Sequence, residues 1–110
     1  MIDNVNKEFR FYDSKLTAKG KEYHKRIALW YEQYHELYSN EVFDIKKWTF
    51  TDIKKIPKQK NDTDCGIYVC MYADFEAGGI PIDQRTFDES HMKQFRFKIT
   101  CDLLRRGLLY

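Results

Sequence analysis

Apolar positions along the chain first recur every second residue and then every third or fourth, and these changes of period mark out the elements. In residues 7–13 (KEFRFYD) Phe9 and Phe11 fall on one face, which predicts a strand ending at Asp13. Residues 19–38 carry Tyr23, Ile27, Trp30, Tyr31, Tyr34 and Leu37 or Tyr38 at three-and-four spacing, which predicts an amphipathic helix with this aromatic row in the core. Residues 42–53 are rich in β-branched and aromatic side chains, with Trp48 and Phe50 on one alternating face; they predict a short strand, and Pro57 ends the pattern. The run CGIYVCMYADFEA is apolar nearly all round until Gly78 and Gly79, which predicts a helix buried on most sides. A last helix is expected over residues 89–104, with Met92, Phe95, Ile99 and Leu103 on one side and Asp88, Glu89 and Ser90 at its start; it ends near Gly107.

Length and composition narrow the class. At 110 residues the chain is one domain at most, and 43% hydrophobic with 33% charged residues is the balance of a globular chain with a packed core. Nineteen basic and seventeen acidic residues are interspersed, so the net charge of +2 gives no support to nucleic-acid binding. No apolar run is long enough for a bilayer, and the start MIDNVNKEFR has no signal-peptide core, so an intracellular chain with no membrane partner is expected. Three cysteines without a CxxC pair indicate reduced thiols rather than a disulfide framework or a zinc site, and no metal or cofactor is expected.

The chemistry concentrates in IPKQKNDTDCGIYVC, where a cysteine precedes a glycine at the junction of a polar loop and an apolar helix. A thiol at a helix N-terminus faces unpaired N–H groups and the positive end of the helix dipole, which favour thiolate over thiol. Gly66 has no side chain to obstruct an approaching carbonyl, a nearby backbone N–H can meet a developing oxyanion, and Gln59 offers a second, neutral donor. On the Cys-Gly dipeptide alone the ordinary reading is packing. The flanking residues alter that balance.

Gln59, Asp64, Cys65 and Gly66, followed by Ile67 to Cys70, resemble the active-site block of the Ulp-type, sentrin-specific (SUMO) cysteine proteases. FYDS, at 11–14, is similar to the family's strand ending in its catalytic aspartate, and Trp48, IPKQKN, MYAD and HMKQFRFKI resemble its flanking segments. The resemblance runs from about Met1 to Leu109 but corresponds only to the later half of the family's catalytic domain. It implies an α+β, papain-like fold in which the nucleophile helix packs on a small sheet. It also implies a thiol protease acting after the C-terminal glycine of a ubiquitin-like modifier, most readily SUMO, with NEDD8 or another substrate as the alternative. Cys65 would be the nucleophile, Asp13 the residue orienting the histidine, and Gln59 a donor to the oxyanion hole. A monomer in the nucleus or cytoplasm is expected from the family, with the nucleus favoured.

The family's histidine, followed by tryptophan, would fall just upstream of Met1, so the chain by itself is expected to be inactive, or to be a non-catalytic fragment or binding remnant. His24, His35 and His91 read as partly exposed helical side chains. Asp13 with Ser14 has the alternative reading of a turn or capping pair. Cys70 and Cys101 read as space-filling thiols inside apolar helical runs.

Overall fold

The first sheet begins with two residues that the alternation did not mark. In the computed structural model, which describes residues 1–15 and 20–107, β1 (Ile2–Asp3) pairs antiparallel with β2 (Glu8–Tyr12), Ile2 opposite Phe9 and Asp3 opposite Glu8. β1 is too short to show a period; its turn carries the information instead. Asp3 Oδ1 accepts from the N–H groups of Val5 (3.1 Å) and Asn6 (3.0 Å), and Asn6 Nδ2 donates to Asp3 Oδ2 (2.9 Å). Lys7 completes the turn at φ 53, a left-handed conformation. Arg10 closes the strand pair with an ion pair to Asp3.

β2 pairs in parallel with β3 (Thr49–Ile53), in register from Glu8 opposite Thr49 to Tyr12 opposite Ile53. Parallel neighbours need a crossover, supplied by α1 (Gly20–Tyr38) and a 3-10 turn at Ile45–Lys47 capped by the Asp44 side chain. The helix expected from residue 19 is thus present from Gly20, and Lys19 lies outside the described residues.

The buried face of α1 agrees with the predicted one at Tyr31 and differs at the other positions. Gly20, His24 and Tyr31 are its buried residues, with Ala28 and His35 partly covered beside them, whereas Tyr23, Trp30, Tyr34, Leu37 and Tyr38 are exposed. Both rows have helical spacing. The sheet selects the one whose Tyr31 ring meets Phe9 edge-on at 5.8 Å and Trp48 at 5.4 Å, around a core of Phe9, Tyr31 and Trp48. Phe50 stacks on Phe9 at 5.0 Å, and Phe11 stacks on Tyr23 at 5.5 Å.

A division at Lys54–Lys55 separates this unit from a second, helical one. Its α2 (Cys65–Ala77) has the predicted bounds, and Gly79, at φ 64, takes the left-handed turn that follows it. Its burial is narrower than predicted: Tyr68, Met71 and Tyr72 are buried, while Val69 and Cys70 are exposed. An apolar run is compatible with burial on any side, and within this unit α2 packs against the loop Ile56–Pro57 and α3 (Met92–Arg105). At the centre is Phe87, 2% exposed, with ring contacts to Tyr68, Tyr72, Phe75 and Phe95 between 5.4 and 6.0 Å. Asp88 caps the 3-10 turn Glu89–His91 that leads into α3, in a reciprocal box with His91, and Gly107, at φ 60, follows its end. The chain is therefore α+β with a three-stranded sheet. Among the described residues no helix is long and apolar enough to cross a membrane.

Candidate active site

The loop before α2 is held at most of its polar positions. Tyr72 Oη donates to the Pro57 carbonyl at 2.5 Å and Tyr68 Oη to the Lys58 carbonyl at 3.2 Å, so the helix core anchors the start of the loop. Glu89 Oε1 accepts from the Lys60 N–H at 2.9 Å. Gln59, 9% exposed, donates through Nε2 to the Asn61 carbonyl at 2.6 Å. Asn61 in turn folds the next three residues: its Oδ1 accepts from the N–H groups of Thr63 (3.1 Å) and Asp64 (3.0 Å), and its Nδ2 donates to Asp64 Oδ2 at 2.7 Å.

Asp64 is the residue immediately before α2, yet its carboxylate makes no capping bond to the helix. It turns instead to Asn61 and to the Arg96 guanidinium on α3, which forms an ion pair with Oδ1. Those two partners, the Asn61 amide first, hold the Asp64 carboxyl below the usual carboxylate range. Behind it the Tyr68 phenol is pushed up by burial and by the charges of Glu89, Asp64 and Asp88.

Cys65 is the first residue of α2 and is exposed. Because Asp64 does not cap the helix, no side chain at the N-cap position competes for the N–H groups of the first turn. A Cβ built at Gly66 meets nothing within 4 Å, so internal packing does not require glycine there. A thiol, uncapped backbone donors and open space over a glycine can together accept an acyl group at sulfur and hold charge on its carbonyl oxygen.

Asp13 lies in the first unit, one residue past β2 and half-buried. Its Oδ1 accepts from the Lys15 N–H at 2.9 Å, which is the turn geometry set beside the catalytic reading above.

Of the three histidines His24 departs from the expectation of a partly exposed helical side chain, whereas His35, partly covered on α1, and His91, exposed in the 3-10 turn, do not. His24 is buried, edge-on to Phe11 at 5.7 Å and close to Phe50 at 5.1 Å. Asp52 Oδ1 stands 3.0 Å from its Nε2 but off the line of a hydrogen bond. His35 is partly covered, with a buried Nδ1, against Tyr31 at 4.8 Å. His91 is exposed, and its Nδ1 accepts from the Asp88 N–H at 3.2 Å. The two other cysteines are less buried than their reading as space-filling thiols implies, Cys70 being exposed and Cys101 intermediate. Among the described residues no group of three or more His, Cys, Asp or Glu could hold a metal ion.

The family model described as "Ulp1 protease family, C-terminal catalytic domain" matches residues 1–107. The chain belongs to the Ulp1 protease family. Human (Homo sapiens) sentrin-specific protease 2 is 30% identical over 111 residues, covering 99% of this chain and 18% of that protein. The Mus musculus sentrin-specific protease 2 is 29% identical over the same shares. The ubiquitin-like-specific protease ESD4 of Arabidopsis thaliana is 31% identical over 67 residues, 61% of this chain and 13% of that protein. The chain thus spans less than a third of the length of each of these relatives.

Two residues of the loop network, Asn61 and Arg96, were not singled out from the sequence. Asn61 carried a legible signal, since an Asn three residues before an Asp is the pattern of a side chain folding its own backbone. Arg96 stands 32 positions from its partner, and no local period reports such a contact.

Proposed function

We propose that this chain is part of the catalytic domain of a thiol protease that cleaves after the C-terminal glycine of a ubiquitin-like modifier, with SUMO favoured. The observation that carries this reading is an exposed Cys65 at the first position of a helix, in a chain matched to the Ulp1 family over residues 1–107. Cys65 acts as the nucleophile, and its thiolate attacks the glycine carbonyl. The oxyanion rests on the backbone N–H near Cys65 and on the Gln59 amide; its collapse breaks the C–N bond, the amine leaves with the proton held by the histidine, and water hydrolyses the thioester to the modifier's free carboxylate and the Cys65 thiol. Asp13 orients the histidine that serves as base, in a domain of papain-like fold. Residence in the nucleus or cytoplasm is part of the same proposal, and imaging of a tagged chain tests it.

None of the three histidines is offered as that base. His24 is packed among rings, His35 has its Nδ1 buried, and His91 is engaged in a helix cap. The 110-residue chain by itself is accordingly proposed to lack turnover, because without an imidazole the thiol has no proton acceptor.

The test is a ubiquitin-like modifier carrying a C-terminal vinyl sulfone in place of its glycine carboxylate. SUMO-vinyl sulfone should label the chain at Cys65 and leave Cys65→Ser unlabelled, with NEDD8-vinyl sulfone slower. A chimera that adds the earlier part of the human sentrin-specific protease 2 catalytic domain should then cleave a SUMO precursor. In that chimera Gln59→Ala should lower the rate by about 10²–10³, the usual cost of one oxyanion donor. No labelling of Cys65 by any modifier, with the chain folded, would sink the reading.

A further inference from the structure

Asp64 places a carboxylate one residue before the sulfur of Cys65. An anion at that position opposes the negative charge that a thiol must carry to act as a nucleophile. The structure answers this in two ways. The carboxylate is buried and makes no capping bond to the helix N-terminus, and both of its oxygens are engaged, one by the Asn61 amide and the other by Arg96. Asn61 is neutral: its amide stabilises the carboxylate through a hydrogen bond but brings no opposing charge. Arg96 is the partner that supplies a compensating charge, and α3 delivers it from one turn past Met92, itself buried in the core of this unit.

We propose that Arg96 is a positioning residue for Cys65: it neutralises Asp64 and holds it off the first turn of α2, so that the dipole of the helix acts on the thiol unopposed. The ion pair has an entropic advantage in this place. Loop residues 57–64 are fixed by Tyr68, Tyr72, Glu89 and Asn61, so Asp64 is already ordered when Arg96 meets it. The guanidinium is half-exposed and reaches the carboxylate from outside, leaving the apolar core of Tyr68, Tyr72 and Phe87 untouched. Its removal therefore acts on charge beside the sulfur more than on packing. The proposal rests on the reading of Cys65 as nucleophile, yet the chemistry it concerns can be measured without a protein substrate.

The experiment is alkylation of the intact chain by iodoacetamide at neutral pH, followed by mass spectrometry at Cys65 and at Cys70, an exposed thiol on the same helix that serves as internal reference. Arg96→Gln should slow Cys65 relative to Cys70 by about three- to tenfold, the effect of one uncompensated neighbouring charge. Arg96→Lys should restore most of the rate. Adding Asp64→Asn to Arg96→Gln should restore it as well, because the charge that needed compensation is gone; a purely structural role for Arg96 predicts no such rescue. An unchanged Cys65-to-Cys70 ratio in Arg96→Gln overturns the proposal, as does a double variant as slow as the single one. If Arg96→Gln fails to fold, Asp64→Asn alone decides, since a slowed Cys65 in that variant also overturns it. Labelling by SUMO-vinyl sulfone is measured in parallel: its absence from every variant counts against the protease reading, while the iodoacetamide ratios still decide the role of Arg96.

Discussion

The Tyr72 hydroxyl donates to the Pro57 carbonyl at 2.5 Å, across fifteen positions of sequence and inside the core of the second unit. Pro57 has no N–H and is itself almost fully buried, so this carbonyl is the only strong backbone group it brings into the core. Tyr72→Phe keeps the ring and its contacts with Tyr68 and Phe87 but leaves the carbonyl unmatched. The expected loss is about 1–2 kcal/mol of unfolding free energy. Urea titration of the purified variant measures it, and hydrogen exchange should show the extra opening at residues 58–64 first, since the bond anchors that loop.

Phe87 is the second unit's most connected ring, touching four other aromatic side chains. Phe87→Ala should therefore cost about 3–5 kcal/mol, the range for emptying a packed aromatic site. Phe97, 72% exposed on α3, has the same side chain without that environment. Phe97→Ala should fall within about 0.5 kcal/mol of the parent chain. Thermal or urea unfolding of the pair separates burial from residue type; equal losses would contradict the core described here.

These two phenylalanines also indicate what a sequence can and cannot disclose. The bounds of α2 were legible because its apolar run ends at glycines, and α1 and β2 because their periods are regular. Which side of each helix is buried was not legible. In α1 the predicted row Tyr23, Ile27, Trp30, Tyr31, Tyr34 and the row Gly20, His24, Ala28, Tyr31 share Tyr31 and both satisfy helical spacing, and only the sheet decides between them. Phe87 sits in an irregular segment where no period exists to single it out. For the candidate site, Cys65, Gly66 and Gln59 could be singled out because they are close in sequence and chemically distinctive. Arg96 could not, because its significance lies in a contact between segments.

Acid should act on the two units through different aspartates. Asp3 is pushed down to about 2, first by the Asn6 backbone and side chain and then by Arg10, and Asp64 is lowered by Asn61 and Arg96. Folding that lowers a carboxyl pKa leaves the unfolded chain as the better proton binder. The stability each group contributes is therefore complete above its ordinary value of 3.8 and lost as pH falls through the lower folded value. For Asp3 that window closes near pH 2. Asp3→Asn and Asp64→Asn should each flatten the dependence of the urea midpoint on pH between about 5 and 2, and the double variant should flatten it further. A parent chain whose midpoint does not move over that interval would contradict both assignments.

Gly66 offers a way to separate folding from chemistry at one position. Its backbone is helical and nothing lies within 4 Å of the Cβ it lacks, so the fold gains nothing from glycine there. On propensity alone Gly66→Ala should raise stability by up to about 1 kcal/mol, because alanine loses less freedom on entering a helix. If an acyl group approaches Cys65 over this glycine, the added methyl occupies space the substrate needs. SUMO-vinyl sulfone should then label Gly66→Ala at least about tenfold more slowly, while iodoacetamide, small enough to avoid the methyl, alkylates Cys65 at nearly the parent rate. Circular dichroism melting, modifier labelling and alkylation on one sample distinguish the outcomes. A more stable chain that is labelled as fast as the parent would mean that substrate does not pass over Gly66. A chain slowed equally toward both reagents would mean that the methyl disturbs the thiol itself.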